Sequence, residues 1–108
     1  MRYQAFDVAE LEKAQGTEPY REFLRRDGMS LGLYRVPVGG TDAQLPHAVD
    51  EVYVVLSGRA VLQVEDSRVE VGSGSVVSVE PEAEHRFTEI AEDLTLLVVF
   101  APPAKPET

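Results

Sequence analysis

From residue 51 to residue 101 the chain is written almost entirely in strand-forming text, and this limits its folds more than any other feature. Glu51 to Ser57 (EVYVVLS) is rich in β-branched residues and stops at Gly58. Ala60, Leu62 and Val64 then alternate with Val61, Gln63 and Glu65. Val69 and Val71 lead to Gly72 and Gly74. Ser75 to Val79, His85 to Ile90 and Leu94 to Ala101 complete the series. Including two strands further upstream, this predicts roughly eight short strands with turn signals every 8–12 residues or so, the pattern of an antiparallel sandwich or closed barrel.

The region before residue 51 is mixed. Asp7 to Gln15 reads as a short helix, with Asp7 as its cap, Glu10 three residues on, and Gly16 as its end. Tyr20–Leu24 and Ser30–Val36 flank Arg25-Arg26-Asp27-Gly28, a hairpin signal. The chain thus divides into an N-terminal arm (1–29), a barrel (30–101) and a proline-rich tail (102–108) that cannot join a ladder. Val52, Val54 and Leu56 share one strand face, and Tyr53 and Val55 share the other. A half-solvated strand would alternate with polar residues. The outer face therefore needs a cover, either the N-terminal segment or a second copy of the chain, and a homodimer is the expected assembly.

Composition excludes several classes of function. The 108 residues suit one domain. There is no cysteine, which removes disulfides, thiolate nucleophiles and iron–sulfur clusters and fits a cytoplasmic setting. A formal net charge of −9 argues against nucleic acid and anionic membranes as partners. No apolar run approaches the length of a membrane span, and the first residues carry no signal-peptide core.

The chain has two histidines. His47 follows Pro46 and stands four residues before Glu51. In a continuous strand these two would lie about 13 Å apart, too far to share an ion. Pro46 and the non-periodic Ala48-Val49 place the strand's start near Asp50, so a bend lets the two side chains converge. The second histidine follows a proline turn: His85 comes after Glu80-Pro81-Glu82-Ala83-Glu84. A carboxylate at Glu51, on a strand among Tyr53 and Val55, is costly to bury unless a cation or hydrogen bonds meet it.

These two stretches resemble the motifs of the cupin superfamily. Gly39, His47, Glu51 and Gly58 fall on the spacing of its first motif, and Gly74 and His85 on that of its second. The resemblance covers about residues 30 to 101. It implies a cupin-type antiparallel β-barrel, a double-stranded β-helix or jelly roll. It also implies one divalent metal ion (Fe, Mn, Ni or Zn) held by His47, Glu51 and His85. Four positions depart from the motifs. Leu45 stands where the first motif has a histidine. Glu80, Glu82 and Glu89 stand where the second has proline, glycine and asparagine. Gln44, beside Leu45, is a candidate weak fourth ligand by proximity alone.

Two imidazoles and a carboxylate leave coordination positions open for a substrate. The resemblance allows a non-haem metal-dependent oxygenase or isomerase acting on an oxygen-rich small molecule, with Leu45, Tyr53 and Phe87 lining its place. The alternative is a non-catalytic cupin that binds a small ligand without metal. Tyr53 and Phe87 read first as core residues, and Arg35 and Arg59 as surface residues rather than substrate clamps.

Overall fold

The computed structural model describes residues 2–42 and 46–103. The helix forms where its caps predict. α1 spans Val8–Gln15; the Asp7 carboxylate accepts the Glu10 amide at 3.2 Å, and Gly16 closes the last turn at φ 60°. The Asp27-Gly28 turn joins β1 (Tyr20–Arg26) to β2 (Met29–Val36), with Arg26 opposite Met29. Four further strands follow: β3 (Asp50–Val64), β4 (Ser67–Gly72), β5 (Val76–Val79) and β6 (His85–Ala101).

The described residues thus form six strands, not the eight expected, because two pairs of expected strands are fused. β3 runs 15 residues and β6 runs 17. The sequence predicts a strand end at Gly58, but this residue is a corner inside a strand. Its φ is 96°, and a Cβ there would lie 2.2 Å from the Asp93 carbonyl oxygen. Glycine meets both demands, a left-handed backbone and a close approach of the neighbouring strand. The β3–β6 register shifts repeatedly between Val55 and Val61, and these irregularities change which residues face inward. Before the corner the buried positions of β3 are Glu51, Tyr53 and Val55; after it they include Ala60 and Leu62. β6 switches in the same way, from His85 and Phe87 to Ile90, Leu94, Leu96, Val98 and Phe100.

All pairings are antiparallel, in the order β1-β2-β6-β3-β4, with β5 on the first half of β3. The corner folds this sheet over itself. One layer holds β1, β2, β5 and the halves of β3 and β6 that meet at Tyr53 and Val98; the other holds β4 and the halves that meet at Leu62 and Phe87. The closed barrel expected from the sequence is not formed by backbone pairing, since β1 and β4 remain the ends of the path. Tyr53, Leu62, Val79, Phe87, Leu94, Leu96 and Phe100 pack in the single core between the layers.

The N-terminal segment covers part of the outer face. The Gln15 amide, buried under α1, donates to the carbonyls of Glu18 (2.8 Å), Pro19 (3.2 Å) and Leu33 (3.1 Å). Leu33 is buried there, while Val52, Val54, Leu56, Leu97 and Val99 are half-buried and Val76 is 65% exposed. Among the described residues no helix is long and apolar enough to cross a membrane.

Gly58→Ala should destabilise the fold by at least about 2 kcal/mol, since it combines a left-handed backbone with a backbone clash. Glu82, at φ 68°, has the opposite expectation. Glu82→Gly should stabilise by about 0.5–1 kcal/mol. Urea unfolding of both variants checks the pair.

Candidate functional site

His47 lies in the loop before β3 and His85 opens β6 directly after a turn, and a main-chain bond joins that loop to that turn. β3 starts at Asp50, so Pro46 to Val49 lie outside the strand as the sequence predicts. The His47 carbonyl accepts the Glu82 N–H at 2.7 Å, which ties this loop to the turn between β5 and β6. Glu82 occupies the glycine position of the second motif and adopts the backbone that a glycine there would favour. Glu89, at the asparagine position, does likewise at φ 49°.

Glu51 and Tyr53 project inward from one layer, and His85 projects from the other. Glu51 is 1% exposed, Tyr53 0% and His85 7%. The His85 Nδ1–H donates to the Ala83 carbonyl at 2.8 Å, which turns Nε2 toward the interior. Nε2 lies 3.0 Å from Glu51 Oε1 and 3.0 Å from the Tyr53 hydroxyl. The approach to Oε1 lacks hydrogen-bond alignment, and neither Glu51 oxygen has a hydrogen-bond partner among the described residues. Burying a carboxylate in this state costs several kcal/mol unless a positive charge stands beside it. Burial lowers the affinity of His85 for a proton. Contact with Glu51, the Ala83 carbonyl and the charges of Glu51 and Asp42 outweigh this and hold its pKa above the usual 6.5.

His47 stands at the rim. Its ring is half-buried, edge-on to Phe100 at 4.7 Å, with its centroid 6.2 Å from that of His85. The structure therefore brings Glu51 and His85 into contact and leaves His47 near them. Among the described residues no three histidine, aspartate or glutamate side chains are grouped tightly enough to form a ready ion site. Gln44 and Leu45 lie outside the described residues. Phe87 is core, with its ring edge-on to Tyr53 at 4.9 Å. Arg35 turns to the carbonyls of Gly16 and Glu18, and Arg59 pairs with Glu92 at 2.9 Å on the surface.

Sequence reasoning missed Asp42. It is 6% exposed and spans the two layers: Oδ1 accepts the Tyr34 hydroxyl at 2.7 Å, and Oδ2 accepts the Phe87 N–H at 2.8 Å. Burial and the Asp42 hydrogen bond both push the Tyr34 phenol well up, so it stays a donor. The only signal in the sequence was an inward tyrosine on β2 that needed a partner for its hydroxyl. Tyr20 lies over Gly32, where a Cβ would meet its hydroxyl at 2.1 Å. Burial, with the charges of Glu22 and Glu51, pushes its pKa up to about 12. A separate groove of about 480 Å³ lined by Arg59, Val61, Glu70 and Glu89 holds surface ion pairs and none of these groups.

The arrangement has the donor types of a metal centre. The orphaned Glu51 oxygens beside an oriented imidazole fit a divalent cation, because a cation would supply the charge the buried carboxylate lacks. The cluster lies on a bent antiparallel sheet, and the comparisons agree with that fold. The family model for the Cupin domain matches residues 32–100, so the chain belongs to the cupin family. It is 50% identical over 97 residues to the uncharacterized protein SCO3923 of Streptomyces coelicolor, covering 90% of this chain and 92% of that protein. Its fold is similar to the crystal structure of TT1209 from Thermus thermophilus (TM-score 0.76, 24% identity, 94% of this chain and 99% of that one). BH2720 from Bacillus halodurans is also similar (TM-score 0.78, 19% identity, 98% and 86%).

Asp42→Ala strips the buried Phe87 N–H and the Tyr34 hydroxyl of their acceptor, and should cost about 2–3 kcal/mol; Tyr34→Phe should cost about 1 kcal/mol. A double-mutant cycle by urea unfolding measures their coupling. The raised pKa of His85 also predicts a pH dependence for the metal-free protein. The folded-state value lies above the unfolded one, so the stabilisation is fully present below about 6.5 and is lost as pH rises through the raised value. Thermal unfolding in the presence of a chelator should show this slope, and Glu51→Gln should flatten it. A flat wild-type profile would mean that Glu51 and His85 do not form a charged pair.

Proposed function

We propose that this cupin binds one divalent metal ion through His47, Glu51 and His85. One observation carries the reading: the Glu51 carboxylate is buried beside the inward-facing nitrogen of an oriented imidazole, with no hydrogen bond to either oxygen among the described residues. His47 completes the set from the loop beside it, where its main chain is pinned to Glu82. A bound ion supplies a Lewis acid with open positions for a ligand. The reaction class this supports is oxygenation or isomerisation of an oxygen-rich small molecule that chelates through its oxygens.

The test is elemental analysis of protein purified without a metal-affinity tag, followed by calorimetric titration with Fe(II), Mn(II), Ni(II) and Zn(II). His85→Ala should abolish binding. Glu51→Gln should weaken it at least tenfold, or about 1.4 kcal/mol. Affinity unchanged in His85→Ala would put any ion elsewhere. The second reading, a cupin that holds a small ligand without metal, is favoured by the 6.2 Å between the imidazole rings and by the Glu51–His85 contact, which balances charge by itself when His85 is protonated. A wild-type protein that binds none of the four ions establishes that reading over the first.

The assembly proposed is a homodimer. Val52, Val54, Leu97 and Val99 with exposed Val76 form one apolar patch on the outer face, beyond the cover that α1 gives to Leu33. Light scattering should give twice the monomer mass at micromolar concentration, and Val54→Lys should shift it toward the monomer. A wild-type monomer mass would reject the dimer.

A further inference from the structure

We infer that the phenolic oxygen of Tyr53 is itself a ligand to the ion, standing in for the donor that Leu45 cannot supply. This rests on the metal reading above and adds a residue to it. Tyr53 is two residues beyond Glu51 on β3, so both side chains leave the strand on the same face and enter the site side by side. Its hydroxyl lies 3.0 Å from His85 Nε2, and Glu51 Oε1 lies 3.0 Å from the same nitrogen. Two donors that bind one ion at right angles through bonds of about 2.1 Å are about 3.0 Å apart. The nitrogen thus stands at the spacing of adjacent coordination positions from both oxygens.

The surroundings hold Tyr53 in place. Its ring packs edge-on against Phe87 at 4.9 Å and His85 at 5.8 Å, and it is wholly buried. His85 Nδ1 keeps its proton on the Ala83 carbonyl, so in the neutral ring Nε2 is an acceptor and the Tyr53 O–H is the donor facing it. An ion entering between them replaces that hydrogen bond. The phenol proton passes to solvent, and one lone pair each from the oxygen and the nitrogen goes to the metal. Two anionic oxygen donors beside the imidazoles make a harder, more negative set than the histidines with a single glutamate, and such a set also accepts the ferric ion used as a probe below.

The test uses the full chain with ferric nitrilotriacetate as the iron source. The wild type should develop a visible tyrosinate-to-iron(III) charge-transfer band, and resonance Raman excitation into that band should show phenolate ring modes without any variant being needed. Tyr53→Phe retains the ring and its contact with Phe87. It should lose the band and bind iron at least tenfold more weakly, while far-UV circular dichroism of the metal-free variant matches the wild type. A merely structural tyrosine changes the unfolding temperature but produces no band. Iron bound by the wild type without a band or without phenolate modes overturns the assignment and leaves the metal reading intact. So does a band that survives Tyr53→Phe. A wild type that binds no iron overturns the assignment, and one that also binds no Mn(II), Ni(II) or Zn(II) overturns the metal reading with it.

Discussion

The corner that β3 and β6 turn together at Gly58 is the constraint on which the rest of the molecule depends. His85 pairs with Val64 at one end of the ladder, while Glu51 pairs with Phe100 at the other. Along a straight strand, residues 51 and 64 would stand about 43 Å apart. The carboxylate and the imidazole nevertheless come within 3.0 Å, because the ladder folds back and turns its two ends into facing walls. Glycine at 58 is what lets the Asp93 carbonyl come close enough for both strands to bend at one place. The same bend moves the inward positions from odd to even residues, so that each half of each strand keeps an apolar face toward the core.

The core and the site are thus one volume with two kinds of lining. The apolar part is ordinary: leucines, valines and edge-packed aromatic rings. The polar part is concentrated where the layers meet near the loops. There Asp42 accepts a hydrogen bond from each layer, Tyr34 on one side and Phe87 on the other. It works as a side-chain stitch at a place where the backbone ladder does not close. Its negative charge also adds to that of Glu51 in holding a proton on His85. The site carries two buried carboxylates, Glu51 and Asp42, against the buried imidazole of His85, and only the oxygens of Asp42 are met by hydrogen bonds among the described residues.

Much of this was legible in the residues. The helix at 8–15, the Asp27-Gly28 hairpin, the start of β3 near Asp50 and the shared face of Tyr53 and Val55 each follow from a local rule of capping, turn chemistry or strand period. The number of strands did not follow, because Gly58 signals a break in the pattern whether the chain ends a strand or bends it. What tells the two apart is the Asp93 carbonyl, 35 residues away in sequence. Asp42 was missed for a related reason. It sits in a loop with no periodicity, and only the folded chain brings Tyr34 and the Phe87 amide to it. Glu82 and Glu89 show the reverse case. The motif's glycine and asparagine are absent from the text, yet the backbone at both positions has the left-handed conformation those residues favour.

The hydrogen bond from the Glu82 amide to the His47 carbonyl has a consequence for how the site meets a ligand. The loop that carries His47 and the turn that leads into His85 are fastened to each other through main-chain atoms, which no side-chain substitution short of proline at 82 removes. A guest arriving between them would find two groups whose separation is set during folding, and its second contact would form at a high effective concentration once the first was made. Selectivity then falls to the side chains, since only their rotations remain to be adjusted. A chain built in this way can exchange Leu45 for another residue, or lose one donor and recruit a neighbour, without rebuilding the frame that holds the rest.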